Sequence, residues 1–177
     1  MWKRATWHEC ADELDETCRA FRNAYWGRQH GSHWPRDPRD EAAMIETSIQ
    51  GIQVLRALAL AVRSEQDFAF LGDAKVAVGV LKQGDPVPDD AVEAKERGGY
   101  AGVLEVSGYI PLNIRQALNK IAHADPQAAD YYIGLRDTAH DLLLYGVHRG
   151  RSWFAVISLL RLIEAIRALP DATTLRQ

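Results

Sequence analysis

The run from Leu142 to Ser158, LLLYGVHRGRSWFAVIS, is where the chain leaves a helical period for an extended one. Leu142–Val147 and Ser152–Ser158 are rich in β-formers, and they flank His148-Arg149-Gly150-Arg151. Two such runs around a Gly-bearing turn predict a β-hairpin, with Gly150 taking the positive φ of a tight turn. The turn lacks the Asn-Gly pair that two-residue loops favour, so its loop length stays open.

Outward from this hairpin the pattern is helical. On the C-terminal side, Leu160, Ile163 and Ile166 share one side of a helix expected over about Leu159–Leu169 and stopped by Pro170. On the N-terminal side, Tyr131–His140 fits a helical turn or an extended segment. Before it stands a helix with Pro111 in its first turn and Ile114, Leu118 and Ile121 as its apolar side. It ends near His123–Ala124, because Pro126 forbids further helix. Gln83–Asp90 is a turn-rich break, Ala91–Glu96 a short polar helix closed by Gly98-Gly99, and Val103–Val106 a short extended piece within a loop. Ala74–Leu81 fits a short helix or a strand, and a helix is the expectation.

Two longer helices open the chain. The first, about Trp7–Trp26, has Thr6 and Glu9 spaced as a capping box and an apolar stripe of Leu14, Cys18, Phe21 and Tyr25. Gly27–Pro38 reads as a loop. The second runs from Pro38 to about Arg63, with Met44, Ile45, Ile49, Ile52, Leu55 and Leu58–Leu60 on a broad apolar face. Breadth of that kind implies burial against more than one neighbour. The expected fold class is therefore mainly α: one domain over residues 1–177, a bundle of four to five helices with one β-hairpin at about 142–158. Phe21, Ile49, Ile52, Leu55, Leu118 and Ile163 are expected in its core.

Composition bounds the function. With 47% hydrophobic and 25% charged residues the chain matches an ordinary globular protein. A net charge of −3 supplies no global field for nucleic acid, so any anion site must be a local patch. Cys10 and Cys18 lie eight residues apart on one expected helix. That is roughly 12 Å, too far for a disulfide, and fits a reduced compartment. No apolar run reaches bilayer length, and Met1–His8 lacks the apolar segment of a secretory leader. A cytoplasmic protein without membrane contact is expected. No phosphate-binding loop, dinucleotide fingerprint or metal-ligand set is visible, so no cofactor is expected.

The chemistry concentrates in Arg115–Pro126, RQALNKIAHADP. Arg115, Asn119 and His123 recur every four residues and fall on one helical face. An imidazole can move a proton from a ribose 2′-hydroxyl, a guanidinium can hold the phosphate, and Asn119 can orient the ring. The same row also suits a solvated face, with His123 favoured at a helix C-terminus.

The stretch LNKIAHAD resembles the signature region of the HEPN superfamily (higher eukaryotes and prokaryotes nucleotide-binding). Members of that family are helical bundles, often dimeric, and many are metal-independent ribonucleases of toxin–antitoxin and phage-defence systems. Their motif is an Arg, often with a polar residue such as Asn next to it, and a His after four to six residues. Asn119 and His123 match, whereas the Arg positions hold Gln116, Ala117 and Leu118, and Arg115 stands one residue too early. The resemblance implies a degenerate, partner-binding member in a bacterial defence or toxin–antitoxin setting. Its partner would be a protein, a second copy of the chain included. The alternative is a ribonuclease using His123, with Arg115 or a neighbouring arginine in place of the usual one.

Other groups admit plainer roles. Arg149 and Arg151 with Trp153 suit an RNA backbone and a stacked base, although hairpin tips are commonly charged for solubility. His30 and His33, with His8 and Cys10, fall short of zinc spacing and read as a solvated loop. Asp137, His140 and Asp141 read as a structural polar pair. Trp2, Trp7, Trp26 and Trp34 divide between packing on the first helix and a partner surface.

Overall fold

The computed structural model describes residues 6–30, 38–67, 76–84, 89–125, 129–134 and 138–170. Two long helices come first, α1 (Trp7–His30) and α2 (Pro38–Asp67). Then follow β1 (Gly79–Gln83), α3 (Asp89–Glu96), α4 (Tyr100–Val103), β2 (Tyr109–Leu112) and α5 (Ile114–His123). The chain closes with β3 (Asp130–Ile133), β4 (His140–His148), β5 (Arg151–Ser158) and α6 (Leu159–Arg167). The strands form one antiparallel sheet in the order β2-β1-β5-β4-β3.

This corrects the expected bundle with a single hairpin. The hairpin is real, but it is the middle of a five-stranded sheet. The strands missed by pattern are short. β1 has five residues and β2 and β3 four each, too few to show a period of two clearly. Of Ala74–Leu81, expected as helix, the last three residues are the start of β1, and Tyr131–His140 contains most of β3. Pro111 sits in β2 rather than in a helix. β2 is an edge strand, where a missing N–H is tolerated. The helix starts later because Asn113 and Gln116 form a capping box, each side chain bonded to the other's backbone N–H at 2.9 and 3.0 Å. Val103–Val106, expected as extended, is instead the end of α4 and a turn.

Helices cover both faces of the sheet. One face presents Leu81, Leu112, Leu142, Leu144, Trp153 and Ile157 to the apolar sides of α1, α2, α5 and α6. The other presents Val80, Leu143, Phe154 and Val156 to Ala94, Tyr100 and Val103 of α3 and α4. Alternate residues of β4 and β5 therefore enter different apolar layers, which explains the unbroken apolar runs Leu142–Leu144 and Trp153–Ile157 at their centres. Across the first layer, Arg167 of α6 reaches Asp12 and Asp15 of α1 at 2.7 and 3.0 Å.

Phe21, Leu55, Leu118 and Ile163 are buried as expected. Ile52 is half-buried, and Ile49 is 56% exposed. α2 does meet two neighbours, α1 and α5. It meets them through Val54, Leu55, Leu58 and Ala59, and this leaves Ile45, Ile49 and Leu60 outside. Cys10 and Cys18 are buried and free, and Trp7 belongs to the core. Trp2, Trp34, His33 and Asp137 lie outside the described residues.

Candidate functional site

The capping box at Asn113 sets the phase of α5. Ile114, Ala117, Leu118 and Ile121 are buried, so Arg115, Asn119 and His123 lie on the exposed side. The structure divides that row. Arg115 and Asn119 line a groove of about 190 Å³ against Ala59 and Leu60 of α2. His123 lines another groove, at the end of α5 against the hairpin.

That end is pinned to the sheet. The helix stops at Ala124, which is extended, and the Asp125 N–H donates to the Tyr145 carbonyl at 3.0 Å. The Lys120 ammonium lies 4.4 Å from the centre of the Trp153 ring. Desolvation pulls this lysine below its ordinary pKa. Trp153 is only 2% exposed and stands in register with Gly146 of β4. A Cβ at Gly146 would come within 2.2 Å of the indole, so the glycine gives the ring its seat. Trp153 is thus the floor beneath Lys120 and not an exposed stacking platform.

A groove flanks this floor on each side. The first, of about 470 Å³, is lined by Gln83, Lys120, His148, Arg149, Arg151 and Ser152 with Trp153. The second, of about 360 Å³, is lined by His123, Asp125, Tyr145, Gly146 and Val147, and shares Ser152 and Trp153 with the first. The first contains no carboxylate in its lining. Lys82, Lys95, Arg97 and Arg167 each meet an acidic side chain, whereas no ion pair to Lys120, Arg149 or Arg151 occurs among the described residues.

The tip is a two-residue loop. Arg149 and Gly150 have φ of 51° and 74°, the pattern of a type I′ turn. Arg149 is the one non-glycine residue with positive φ among the described residues. A side chain there costs about 1 kcal/mol that glycine or asparagine largely avoids.

Comparison with protein families, with characterised proteins and with solved structures gives no match.

His140 and Asp141 do not pair. As neighbours on β4 they point to opposite faces. His140 packs with Phe21 and Tyr131, and an Arg22 guanidinium nitrogen lies 3.4 Å from its Nδ1. Burial, then the Arg22 charge, push its pKa down to about 3. Asp141 accepts the Tyr100 N–H at 2.7 Å on the other face. Burial pushes it up to about 6, against the Tyr100 N–H and the Ser158 hydroxyl. The cavity beside His140 holds about 10 Å³, room for one water and no substrate. Both groups are structural.

Among the described residues, no three His, Cys, Asp or Glu side chains are placed to hold a metal ion, and no helix is long and apolar enough to cross a membrane. Sequence reasoning found Arg149, Arg151, Trp153 and His123 separately. It missed that Trp153 borders the grooves of both Arg149 with Arg151 and His123, and it missed Lys120 and Asp125. No local pattern ties a lysine on α5 to an indole so far along the chain.

Proposed function

We propose that this protein binds single-stranded RNA through its phosphates, in the groove between the β4–β5 tip and the end of α5, without cleaving it. One observation carries the reading: Lys120, His148, Arg149 and Arg151 converge on a groove whose lining has no carboxylate. In a chain of net charge −3 this is the local patch that phosphate contacts require. Arg149 adds weight, since its guanidinium is kept at a strained turn position. The sheet departs from the helical bundle that the HEPN resemblance implies. The proposal therefore rests on the groove and not on that family's defence or toxin–antitoxin setting.

The test is fluorescence anisotropy with a labelled RNA of mixed sequence at several salt concentrations. Lys120→Gln, Arg149→Asn and Arg151→Gln should each weaken binding by about three- to tenfold and flatten the salt dependence. Arg149→Asn should also raise the melting temperature, because asparagine suits the left-handed turn position. Unchanged affinity in all three variants would reject the groove.

A second reading, ribonuclease activity, has one observation in its favour: His123 stands exposed on the adjoining groove. RNA incubated in chelator with the parent protein should stay intact. Cleavage that disappears in His123→Ala would replace binding by catalysis.

A further inference from the structure

We infer that the cationic groove holds the terminal phosphate monoester of an RNA strand, so that the protein favours phosphorylated strand ends over the chain interior. This rests on the RNA-binding reading above and names the part of the strand that the groove takes. Strand register assembles the site. His148 stands directly opposite Arg151, and Gln83 stands opposite Trp153. Arg151 and Trp153 are two residues apart on β5, so all four share the sheet face that α5 covers. Lys120 of α5, above the indole, and Arg149 of the tip complete the lining.

The lining is rich in donors. Two guanidinium groups and an ammonium stand with the Gln83 amide and the Ser152 hydroxyl, and no acid is among them. A phosphodiester inside a strand presents two free oxygens and one charge. A terminal monoester presents three oxygens and a charge of about −1.5 to −2 at pH 7, the closer match to this density of donors. Cations gathered without an acid repel one another, and a dianion relieves that repulsion. The groove is also compact. Its volume of about 470 Å³ is that of a site for a small group. Past Trp153, the adjoining groove has neither lysine nor arginine among its described lining residues. On that side the positive charge that a run of interior phosphates would follow stops.

The probes are six-nucleotide RNAs of one mixed sequence with a 5′-phosphate, with a 3′-phosphate, or with hydroxyls at both ends, the fluorophore on an internal base. A seven-nucleotide strand with hydroxyl ends matches the phosphate count of the monoester strands. Anisotropy at one salt concentration should show a monoester strand binding about five- to tenfold more tightly than the seven-nucleotide strand. Which of the two monoester strands leads identifies the end. In Lys120→Gln and in Arg151→Gln the preference should fall to about threefold or less, with the fold checked by circular dichroism. Because the readout is a ratio between strands, a general loss of positive charge does not imitate it. Equal affinity for the monoester and matched strands would overturn the terminal site while leaving phosphate binding intact. A preference undiminished in both variants would overturn its placement in this groove. Binding of no strand would remove the RNA reading itself.

Discussion

His140 and Asp141 show how one residue's step along a strand separates two titratable groups and sets their effect on stability. His140 takes up a proton at about 3 in the folded chain against an ordinary 6.5. Between those values the unfolded chain binds the extra proton, so stability falls as pH drops. Asp141 releases its proton at about 6 against an ordinary 3.8. Between those values the folded chain holds the extra proton, so stability rises as pH drops. The two effects oppose each other between about 3.8 and 6, and only the histidine acts below. Asp141→Asn removes one side of the balance. Its amide oxygen can still accept the Tyr100 N–H. We expect a gain of about 1–3 kcal/mol at pH 7, and a stability that now declines steadily as pH falls below 6.5. Urea midpoints at pH 4 to 7 measure both. A variant no more stable than the parent at pH 7 would contradict the buried, charged state of Asp141. Adjacency in sequence suggested a pair, and alternation of side chains across the sheet denies it.

The element that organises the site is the β4–β5 hairpin. Gly146→Ala should push Trp153 off its seat, because the added methyl would overlap the indole at 2.2 Å. We expect a loss of about 1–3 kcal/mol or more, a red-shifted tryptophan emission and weaker RNA binding. Unchanged emission would mean that the ring does not lie where the structure puts it. α2 provides a paired comparison. Leu55→Ala should cost about 2–5 kcal/mol, whereas Ile49→Ala, at an exposed position, should stay within about 0.5 kcal/mol. Equal effects in thermal melts would undo the assignment of its buried face. Long elements were legible in the sequence because their pattern repeats. Leu14, Cys18 and Phe21 marked α1, and Leu142–Val147 with Ser152–Ser158 marked the two central strands. β1, β2 and β3 were not legible, since four or five residues place only two or three side chains on each face. The site was half legible for a related reason. Arg149, Arg151 and His123 stand out by residue type, but what joins them is Lys120 resting on Trp153, a contact between distant parts of the chain.

At the scale of the molecule, the sheet holds its last-made strands at its centre. β1 reaches the rest of the sheet through β5, and β3 has β4 as its partner. Synthesis runs from the N-terminus, so β1, β2 and β3 leave the ribosome before the two strands that join them exist. α1 has α2 as an early neighbour, but its ion pairs wait for α6, whose Arg167 meets Asp12 and Asp15. The growing chain carries β3 with no partner until β4 has emerged, and β1 with only the edge partner β2 until Ser158 has emerged. Open strand edges invite pairing with other chains. The order in which this sheet is spelled out makes translation the interval of greatest exposure, and the emergence of β5 the event that closes it.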